Sequence, residues 1–368
     1  MQRTPFYQFH VDHGAKMVDF AGWEMPLHYG SILEEHHAVR NSGGLFDVSH
    51  MGRVKFSGRH ARRFLERVCT RQVSAMREMT CRYSFVCNER GGVKDDVIIY
   101  RLEDHWMMVC NAANRQKLMA HFEAVRGDLA LHIEDLTPQT AMVAVQGPSV
   151  MNQIEEFSSE VPALKRYSFC EKDMVVVKLV ISRTGYTGED GVEAILGAKS
   201  ADMAMKMLLR EDDGDRIRPA GLGCRDTLRL EAGMPLYGQE LSEEIDPLSA
   251  GLGFAVSLEK DQETRFGEPE PFIGQEALKQ MAATSLPRKL VGLKLDGRRT
   301  PRQHMVVRAG DRSVGEVTSG CLSPTLGHPI AMAYVDSECA EEGNSLNIDF
   351  GRAGVDAEVV KLPFYKRG

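Results

Sequence analysis

The sequence has little that would mark a membrane, secreted or organelle-targeted protein. No apolar run approaches the roughly 18 residues that a membrane-spanning helix needs. The N-terminal segment has neither the apolar stretch of a secretory signal nor the Arg- and Ser-rich, acid-poor composition of a transit peptide. We therefore expect a soluble protein of the cytoplasm.

Signatures of metal, nucleotide and nucleic-acid sites are also missing. The eight cysteines are scattered without a CxxC pair, whereas zinc and thioredoxin-type sites normally need closely paired residues. No GxGxxG, GxxxxGKS or GxxxxGKT motif occurs, so Rossmann and P-loop interpretations have no support. The net charge of -7 argues against a general nucleic-acid binder. We expect buried, reduced cysteines and no bound metal.

The sequence does contain a mixed body followed by a β-rich end. Between about residues 50 and 235, strand-like stretches alternate with helix-like ones such as GRHARRFLERVC, where Phe64, Leu65 and Val68 share one face. A run rich in charge, Gly and Pro at 257–274 is typical of a linker. The short β-like runs that follow predict a small barrel or sandwich. At 368 residues, two or three domains are expected.

Residues 91–100, GGVKDDVIIY, place two adjacent carboxylates at the start of an apolar strand. Val, Ile and Tyr favour a half-buried strand, while carboxylates are rarely buried without a partner. Successive side chains alternate between the faces of a strand, so Asp95 and Asp96 lie on opposite faces. Alternation alone does not decide which aspartate is functional, because both faces are otherwise apolar.

Three further stretches combine glycines with polar side chains: FDVSHMG (46–52), SRTGYTGEDGVE (182–193) and PAGLGCRDTLRLEAGMPLYGQEL (219–241). The second suits close approach of the backbone to a flat ligand, because glycine has no Cβ. Arg225 and Arg229 have the i, i+4 spacing of one helix face, which is usually a solvated face. His50 is typical of a satisfied core histidine, and a catalytic pairing with a carboxylate stays open.

Together these motifs resemble the glycine cleavage T-protein family, the tetrahydrofolate-dependent aminomethyltransferases, along nearly the whole chain. Any one motif is a weak signal, but nine of them follow the family's order. They are HGAKMVDFAGWEMPLHYG (13–30), FDVSHMG, GGVKDDVIIY, VCNAANRQK (109–117), AVQGP, RTGYTGEDGVE, PAGLGCRDTLRLEAGMPLYGQEL, GEVTSGCLSPTLGHPIAMAYV (315–335) and VVKLPFYKR (359–367).

The resemblance implies an α+β fold: a three-domain cloverleaf around a central folate channel, ending in an all-β, barrel- or jelly-roll-like domain. The expected boundaries are 1–50 plus about 138–256, about 51–137, a linker at 257–274, and 275–368. It also implies the reaction: the aminomethyl group on the lipoyl arm of H-protein passes to tetrahydrofolate, and ammonia and 5,10-methylenetetrahydrofolate are released. Neither nucleic acid nor a membrane is an expected partner.

The family pattern also assigns the site residues. It selects Asp96 over Asp95 as the catalytic, folate-contacting carboxylate. A carboxylate suits that role, because in a partly dry environment it stabilises positive charge on the CH2=NH2+ fragment or the folate nitrogens. Glu193 matches the carboxylate that accepts hydrogen bonds from the pterin N3–H and 2-amino groups. Arg225 matches a folate-contacting arginine suited to the anionic glutamate tail. The remaining matches to the folate channel are Met51, Tyr83, Ile98, Tyr100, Asn111, Tyr167 and Tyr186.

Two other functions remain open on these motifs. Relatives include folate-dependent demethylases of methylated small molecules, although GGVKDD and GYTGED fit the aminomethyl enzyme best. Others are non-enzymatic folate-binding proteins of iron–sulfur assembly, marked by a Lys-Gly-Cys that MPLYGQEL (234–241) lacks. Residues 52–78 contain eight Lys or Arg and two Glu, which suits an acidic partner such as H-protein or, equally, a solvated helix face.

Overall fold

The computed structural model of the protein describes residues 1–174, 177–209, 217–263, 268–351 and 353–367. The chain folds into two compact units, each built from several stretches of sequence. The first unit consists of Met1–Leu65, Val73–Tyr83 and Val97–Asp226, and the second of Glu66–Gln72, Ser84–Asp96 and Thr227–Gly368. Within the described residues, no helix is long and apolar enough to cross a membrane.

The two units do not test the predicted division into three domains and a linker, which stays a prediction. The cloverleaf around a central channel also stays a prediction. Residues 264–267 of the predicted linker lie outside the described residues.

Short helices and strands alternate through the first part of the chain. In order they are β1 (Gln2–Arg3), α1 (Tyr7–Asp12), β2 (Lys16–Phe20), β3 (Trp23–His28), α2 (Ile32–Asn41), β4 (Gly43–Asp47), β5 (Gly52–Ser57), α3 (Ala61–Val68), β6 (Thr80–Cys87), β7 (Val93–Arg101), β8 (Trp106–Cys110), α4 (Arg115–Arg126) and β9 (His132–Asp135). Helix α2 begins after Ser31, whose hydroxyl accepts a hydrogen bond from the amide of Glu34. Phe64, Leu65 and Val68 are all buried, which confirms the predicted face of α3.

The middle of the chain builds a six-stranded sheet. Its elements are β10 (Thr140–Gln146), α5 (Val150–Glu155), α6 (Glu160–Ala163), β11 (Phe169–Met174), β12 (Val177–Ser182), β13 (Gly191–Gly197), α7 (Ala201–Leu208), β14 (Ile217–Pro219) and α8 (Leu222–Glu231). The strand order is β11-β12-β13-β10-β4-β14. Six of the seven residues of β10 are buried, as expected of an apolar strand with a neighbour on each side.

Two other sheets use the N-terminal strands. Strands β1, β3 and β2 form one, and the other has the order β6-β7-β8-β5-β9. Strand β7 passes from the second unit into the first after Asp96. Its residues Lys94, Asp96 and Ile98 are half-buried, while Val93, Asp95, Val97 and Ile99 are fully buried. The two faces of β7 therefore differ in exposure, which the apolar composition did not reveal.

The end of the chain forms a closed six-stranded barrel. After α9 (Gln275–Ala282) come β15 (Arg288–Leu295), β16 (Val306–Ala309), β17 (Arg312–Leu322), β18 (Pro329–Asp336), β19 (Ser345–Asp349) and β20 (Gly354–Val360). The strands close in the order β15-β18-β17-β16-β19-β20 around a core that includes Leu293, Val317 and Ile348. One-turn 3-10 helices lie at Ala112–Asn114, Thr137–Gln139, Ala198–Ser200, Gly253–Ala255 and Ser337–Cys339. The barrel and the mixed body confirm the predicted fold class.

All eight cysteines are buried and none forms a disulfide, which confirms that prediction. No group of three or more His, Cys, Asp or Glu side chains in the described part of the chain is arranged to hold a metal ion.

Candidate functional site

A loop of residues 183–190, here called the glycine loop, joins β12 to β13. Gln146 at the end of β10 ties the loop to the next strand: its Nε2 donates to the carbonyl oxygen of Thr184 in the loop and to that of Val192 on β13, each at 3.1 Å. A Cβ on Gly185 would lie 1.9 Å from Oε1 of the same glutamine. Any other residue at position 185 would displace the Gln146 amide from these hydrogen bonds, so the group that approaches this glycine is the protein's own side chain.

Two buried or half-buried ion pairs fix the shape of the glycine loop. Arg183 binds Asp190 through two hydrogen bonds, Nε to Oδ1 at 3.1 Å and Nη2 to Oδ2 at 2.6 Å. Arg40 of α2 donates to the carbonyl oxygen of Thr187 at 2.7 Å and to Oε1 of Glu189 at 2.8 Å. Bidentate and charge-assisted bonds of this kind restrict orientation strongly, so the loop is a rigid platform.

Glu193, the predicted pterin-binding carboxylate, lies on β13 just after the glycine loop and is 6% exposed. The hydroxyl of Thr184 donates to its Oε2 at 2.5 Å. The same hydroxyl lies 2.8 Å from Oγ of Ser182, which in turn lies 3.1 Å from the hydroxyl of Tyr100. A line of four buried polar side chains thus joins two residues that the sequence assigned to the folate site.

The segment FDVSHMG is held by a buried network around Asp47. Oδ2 accepts from the Thr4 hydroxyl at 2.6 Å and lies 2.9 Å from Nε2 of His10. Oδ1 accepts from the amide of Ser49 at 2.8 Å. Nδ1 of His10 is 2.7 Å from the hydroxyl of Tyr29. Burial alone would raise the pKa of Asp47, but the bond and charge of His10, with the bonds from Thr4 and Ser49, hold it below the usual value.

Arg53, which is fully buried, holds the same segment from its other end. Its guanidinium donates to the carbonyl oxygens of Ser49 at 2.8 Å, Thr137 at 2.9 Å and Thr140 at 3.1 Å, and also to that of Met51. Burial lowers the pKa of Arg53 to about 10, so the group stays cationic at neutral pH. The segment containing His50 and Met51 is therefore fixed by a buried cation at one side and a buried anion at the other.

His50 is 3% exposed, and its Nδ1 has no hydrogen-bond partner among the described residues. Burial lowers its pKa to about 4; the charge of Asp47 opposes that shift, while the charges of Arg225 and Arg53 add to it. The imidazole is therefore neutral at neutral pH. His50 is therefore a core histidine, as expected, but it is not satisfied at Nδ1 by the described residues, and such an atom is costly unless a partner completes it.

Arg225 on α8 also has a buried side-chain nitrogen without a hydrogen-bond partner among the described residues. This nitrogen is Nη1, and the guanidinium lies over the ring of Tyr186 at 4.9 Å. Burial lowers the pKa of Arg225, whereas the charge of Glu193 raises it. Arg229, four residues later, is only 1% exposed. The expectation of a solvated arginine face on this helix was therefore wrong for Arg229, because buried acceptors outweigh the usual preference of arginine for water.

The glycine turn that precedes β7 belongs to the second unit. A Cβ on Gly92 would lie 1.8 Å from the carbonyl oxygen of Glu243, so only glycine fits there. Nζ of Lys94 lies 3.3 Å from Oε2 of the same glutamate. At the following positions, Asp95 is 0% exposed and Asp96 is half-buried. Of the two aspartates, only Asp96 lies on the partly open face of the strand.

The other predicted site residues of the first unit differ in exposure. The half-buried ones are Met51, Tyr83, Ile98, Asn111 and Tyr186. Tyr100 is fully buried, whereas Tyr167 is 48% exposed and has a positive φ of 61°. The structure directly joins Tyr100 to Glu193 through hydroxyls, and Arg225 to Tyr186 through the ring contact.

Sequence reasoning did not identify Ser182, Thr184, Gln146 or Arg53. Ser182 and Thr184 lie within the motif SRTGYTGEDGVE. The feature that could have indicated them is the presence of two small hydroxyl side chains close in sequence to Glu193. Arg53 had no signal that distinguishes it from the exposed arginines of the basic segment.

Comparisons with known proteins agree with this fold. Residues 6–260 match the family model described as the GCVT N-terminal domain, and residues 288–366 match the glycine cleavage T-protein C-terminal barrel domain. The chain belongs to the glycine cleavage T-protein family. Within that family it is an enzyme, an aminomethyltransferase.

Individual relatives cover the full length. The chain is 46% identical to an aminomethyltransferase from Rubrobacter xylanophilus over 368 residues, which is all of this chain and 95% of the relative. It is 44% identical to one from Saccharopolyspora erythraea, covering all of this chain and 98% of the relative. The crystal structure of the glycine cleavage system aminomethyltransferase T from Bartonella henselae superimposes with a TM-score of 0.90 at 32% identity, covering 99% of this chain and 98% of the other.

Proposed function

We propose that the protein transfers the one-carbon unit of the S-aminomethyl-dihydrolipoyl arm of H-protein to tetrahydrofolate. The C–S bond of the aminomethyl group breaks and its nitrogen leaves as ammonia. The carbon becomes the methylene bridge of 5,10-methylenetetrahydrofolate, and the dihydrolipoyl arm is left as a thiol. Full-length similarity to aminomethyltransferases supports this reaction over demethylation and over a non-enzymatic role.

The residues of the first unit fit a folate. Glu193 offers a carboxylate that accepts hydrogen bonds from the N3–H and 2-amino groups of a pterin. The buried Nη1 of Arg225 is a donor in need of an acceptor, and Nδ1 of His50 is a polar atom in the same condition. A ligand with oxygen and nitrogen groups would complete both, which removes the cost of leaving them unpaired. Tyr186 adds an aromatic face already engaged by the arginine.

Asp96 is the carboxylate that we assign to the chemistry. The observation that carries this choice is the contrast in burial on β7: Asp95 is fully buried, and Asp96 is half-buried on the face shared with Ile98. A carboxylate there stabilises the positive charge that develops on the CH2=NH2+ fragment or the folate nitrogens. Such a preorganised charge is worth on the order of 10^2–10^3 in rate.

The donor in this proposal is lipoylated H-protein, which requires a docking surface. Arg59, Arg62 and Arg63, at the start of α3 and just before it, are exposed, while Arg53 of the same basic segment is buried and unavailable. The three exposed arginines suit an acidic protein surface. A solvated helix face remains the alternative for these side chains.

The test is tetrahydrofolate-dependent release of ammonia from aminomethylated H-protein, measured for the wild type and for Asp96→Asn. We expect fast release by the wild type and a loss of roughly 10^2 or more in the variant with folate still bound. Asp128→Asn, which removes an exposed carboxylate elsewhere in the chain, is the matched control and should retain full activity.

A wild type that binds folate but releases no ammonia would rule out the aminomethyl reaction, and methylated substrates would then be tested. Full activity in Asp96→Asn would instead remove Asp96 from the chemistry and leave the reaction in place.

A further inference from the structure

Tyr100, Ser182, Thr184 and Glu193 form a line of hydrogen-bonded side chains, here called the hydroxyl line. Neither the family motifs nor the comparisons assign a role to its two middle members, Ser182 and Thr184. Ser182 and Thr184 are 1% and 8% exposed, respectively. Ser182 lies directly opposite Glu193 in the antiparallel pair of β12 and β13, so their side chains lie on the same face of the sheet. Small hydroxyls in a turn motif usually bond to nearby backbone, but these two bond mainly to side chains.

The direction of the hydrogen bonds follows from counting protons. Thr184 has one hydroxyl proton, and it is donated to the carboxylate of Glu193 at 2.5 Å. Its oxygen is therefore left to accept from Ser182 at 2.8 Å. Ser182 also lies 3.3 Å from the carbonyl oxygen of Glu193, a longer and weaker alternative.

The first member of the line is Tyr100, whose hydroxyl lies 3.1 Å from Oγ of Ser182. Burial raises the pKa of Tyr100 well above its usual value, and the nearby charge of Glu193 adds to the effect, so the phenol keeps its proton. With Ser182 donating to Thr184, its oxygen accepts from Tyr100. All the donors then point from the tyrosine towards the carboxylate.

The surroundings of the line are dry. Tyr100 is 0% exposed and packs against Phe169 with ring centroids 5.3 Å apart. Cys81, which is 1% exposed, has its pKa raised by burial and by the charge of Glu193, and stays a neutral thiol. In such an environment, hydrogen bonds in series polarise one another and hold their members in one geometry.

The two oxygens of Glu193 are consequently not equivalent. Oε2 is fixed by Thr184, whereas Oε1 accepts no hydrogen bond from any described residue. A carboxylate held by one oxygen in a fixed orientation can distinguish a ligand that presents two parallel N–H donors from one that presents only one.

We propose that Thr184 and Ser182 are positioning residues that fix Glu193 for recognition of the 2-amino and N3–H groups of the pterin, and that Tyr100 anchors the line. This inference rests on the proposed function, because it takes folate as the ligand. Thr184 and Ser182 act through Glu193 and are not catalytic residues.

The experiment compares two probes by calorimetry: 5-methyltetrahydrofolate and its analogue in which a methyl group replaces the 2-amino group. The wild type should prefer the amino compound by about 10- to 100-fold, since the analogue leaves a carboxylate oxygen unpaired. Thr184→Val keeps the branched shape but loses the hydroxyl. It should bind the amino compound about 10-fold more weakly and discriminate by no more than about 3-fold. Thr184→Ser restores the hydroxyl and should restore the discrimination.

Thr318→Val is the matched control, because Thr318 is another buried threonine but lies on β17 of the second unit, where its hydroxyl donates to the carbonyl oxygen of Met332 at 3.0 Å. Its discrimination should equal that of the wild type. If Thr184→Val does not fold, Ser182→Ala tests the same line one step earlier and should lower the discrimination about 3-fold, because Thr184 then loses its own donor.

Turnover separates positioning from chemistry. In the ammonia-release assay, Thr184→Val should raise KM for tetrahydrofolate about 10-fold and leave kcat within about 3-fold. A variant that keeps the wild-type discrimination overturns the inference, and so does a fall in kcat with unchanged KM. Failure of the wild type to bind 5-methyltetrahydrofolate is a different outcome, since it overturns the proposed function itself.

Discussion

Helix α8 carries two arginines, the fully buried Arg229 and the half-buried Arg225, whose hydrogen-bond partners differ. Arg229 donates to Oε2 of Glu240 at 2.9 Å, to Oε1 of Gln239 at 2.7 Å and to Oγ of Ser319 at 2.8 Å. Arg225 has the ring of Tyr186 beneath it and leaves Nη1 buried without a hydrogen-bond partner among the described residues. The first arginine is saturated by its own unit, and the second is not.

The difference indicates two uses of the same residue type. A buried charge with all its bonds made holds a fold together, because removal of any member leaves the others unpaired. A buried polar atom left without a partner costs stability and is retained where a ligand supplies the missing bond. We therefore propose that Arg229 has a structural role, and that Arg225 and His50 serve ligand binding.

Breaking the saturated network should have the largest effect. Arg229→Met leaves Glu240 buried without its cation, and we expect the second unit to lose about 3–5 kcal/mol of stability. Hydrogen exchange of peptides from the barrel strands measures this loss. Arg308→Met removes an arginine of the barrel that is bound to Asp349 at a half-exposed site, and should cost no more than about 1 kcal/mol. Equal losses in the two variants would remove the distinction drawn for Arg229.

The second prediction concerns His50 and the pH. Its pKa is about 4 in the folded protein, below the usual value of 6.5. Between these values the unfolded chain binds a proton that the folded chain does not, so the free energy of unfolding falls as the pH drops from 6.5 to 4. The full loss is on the order of 3 kcal/mol.

Fluorescence of Trp23 and Trp106, both in the first unit, follows urea unfolding across this range of pH. His50→Gln should lose less stability on acidification than the wild type, by that same amount. His132→Gln, at an exposed histidine, should follow the wild type. A His50→Gln profile parallel to that of the wild type would show that His50 does not resist protonation in the fold.

The contrast between the two arginines also shows which features of the structure can be predicted from the sequence and which cannot. Periodicity was enough for α3 and for the β-rich end, because buried apolar positions repeat with the period of the element. The motif order predicts Glu193 and Asp96 as site residues, and both assignments stay predictions. The sequence could not predict the partners of Arg229. Ser319, for example, lies on β17, about 90 residues later, and no local sequence pattern encodes such a contact.

The difference in exposure between the two aspartates on β7 could not be predicted either, because it also depends on tertiary packing. Asp95 and Asp96 have neighbours of the same apolar kind on both faces, and only the tertiary packing makes one face partly open. The same holds for Thr184, whose hydroxyl is informative because of its 2.5 Å bond to Glu193 and not because of its position in a turn.

The smallest expected effect on stability is that of Arg225→Met, the counterpart of Arg229→Met on the same helix. Since Nη1 of Arg225 has no hydrogen bond to lose among the described residues, we expect the stability of the first unit to change by less than about 1 kcal/mol. Affinity for 5-methyltetrahydrofolate should instead fall by about 10-fold or more, as a charged donor is lost.

Arg225→Lys is the control for charge, and it should not restore the affinity, because an ammonium cannot reproduce the planar contact with Tyr186 or the direction of the guanidinium donors. Tryptophan fluorescence in urea gives the stability and calorimetry gives the affinity. A large loss of stability with unchanged affinity would place Arg225 in the same structural role as Arg229, and the incomplete bonding of its guanidinium would then no longer indicate a ligand.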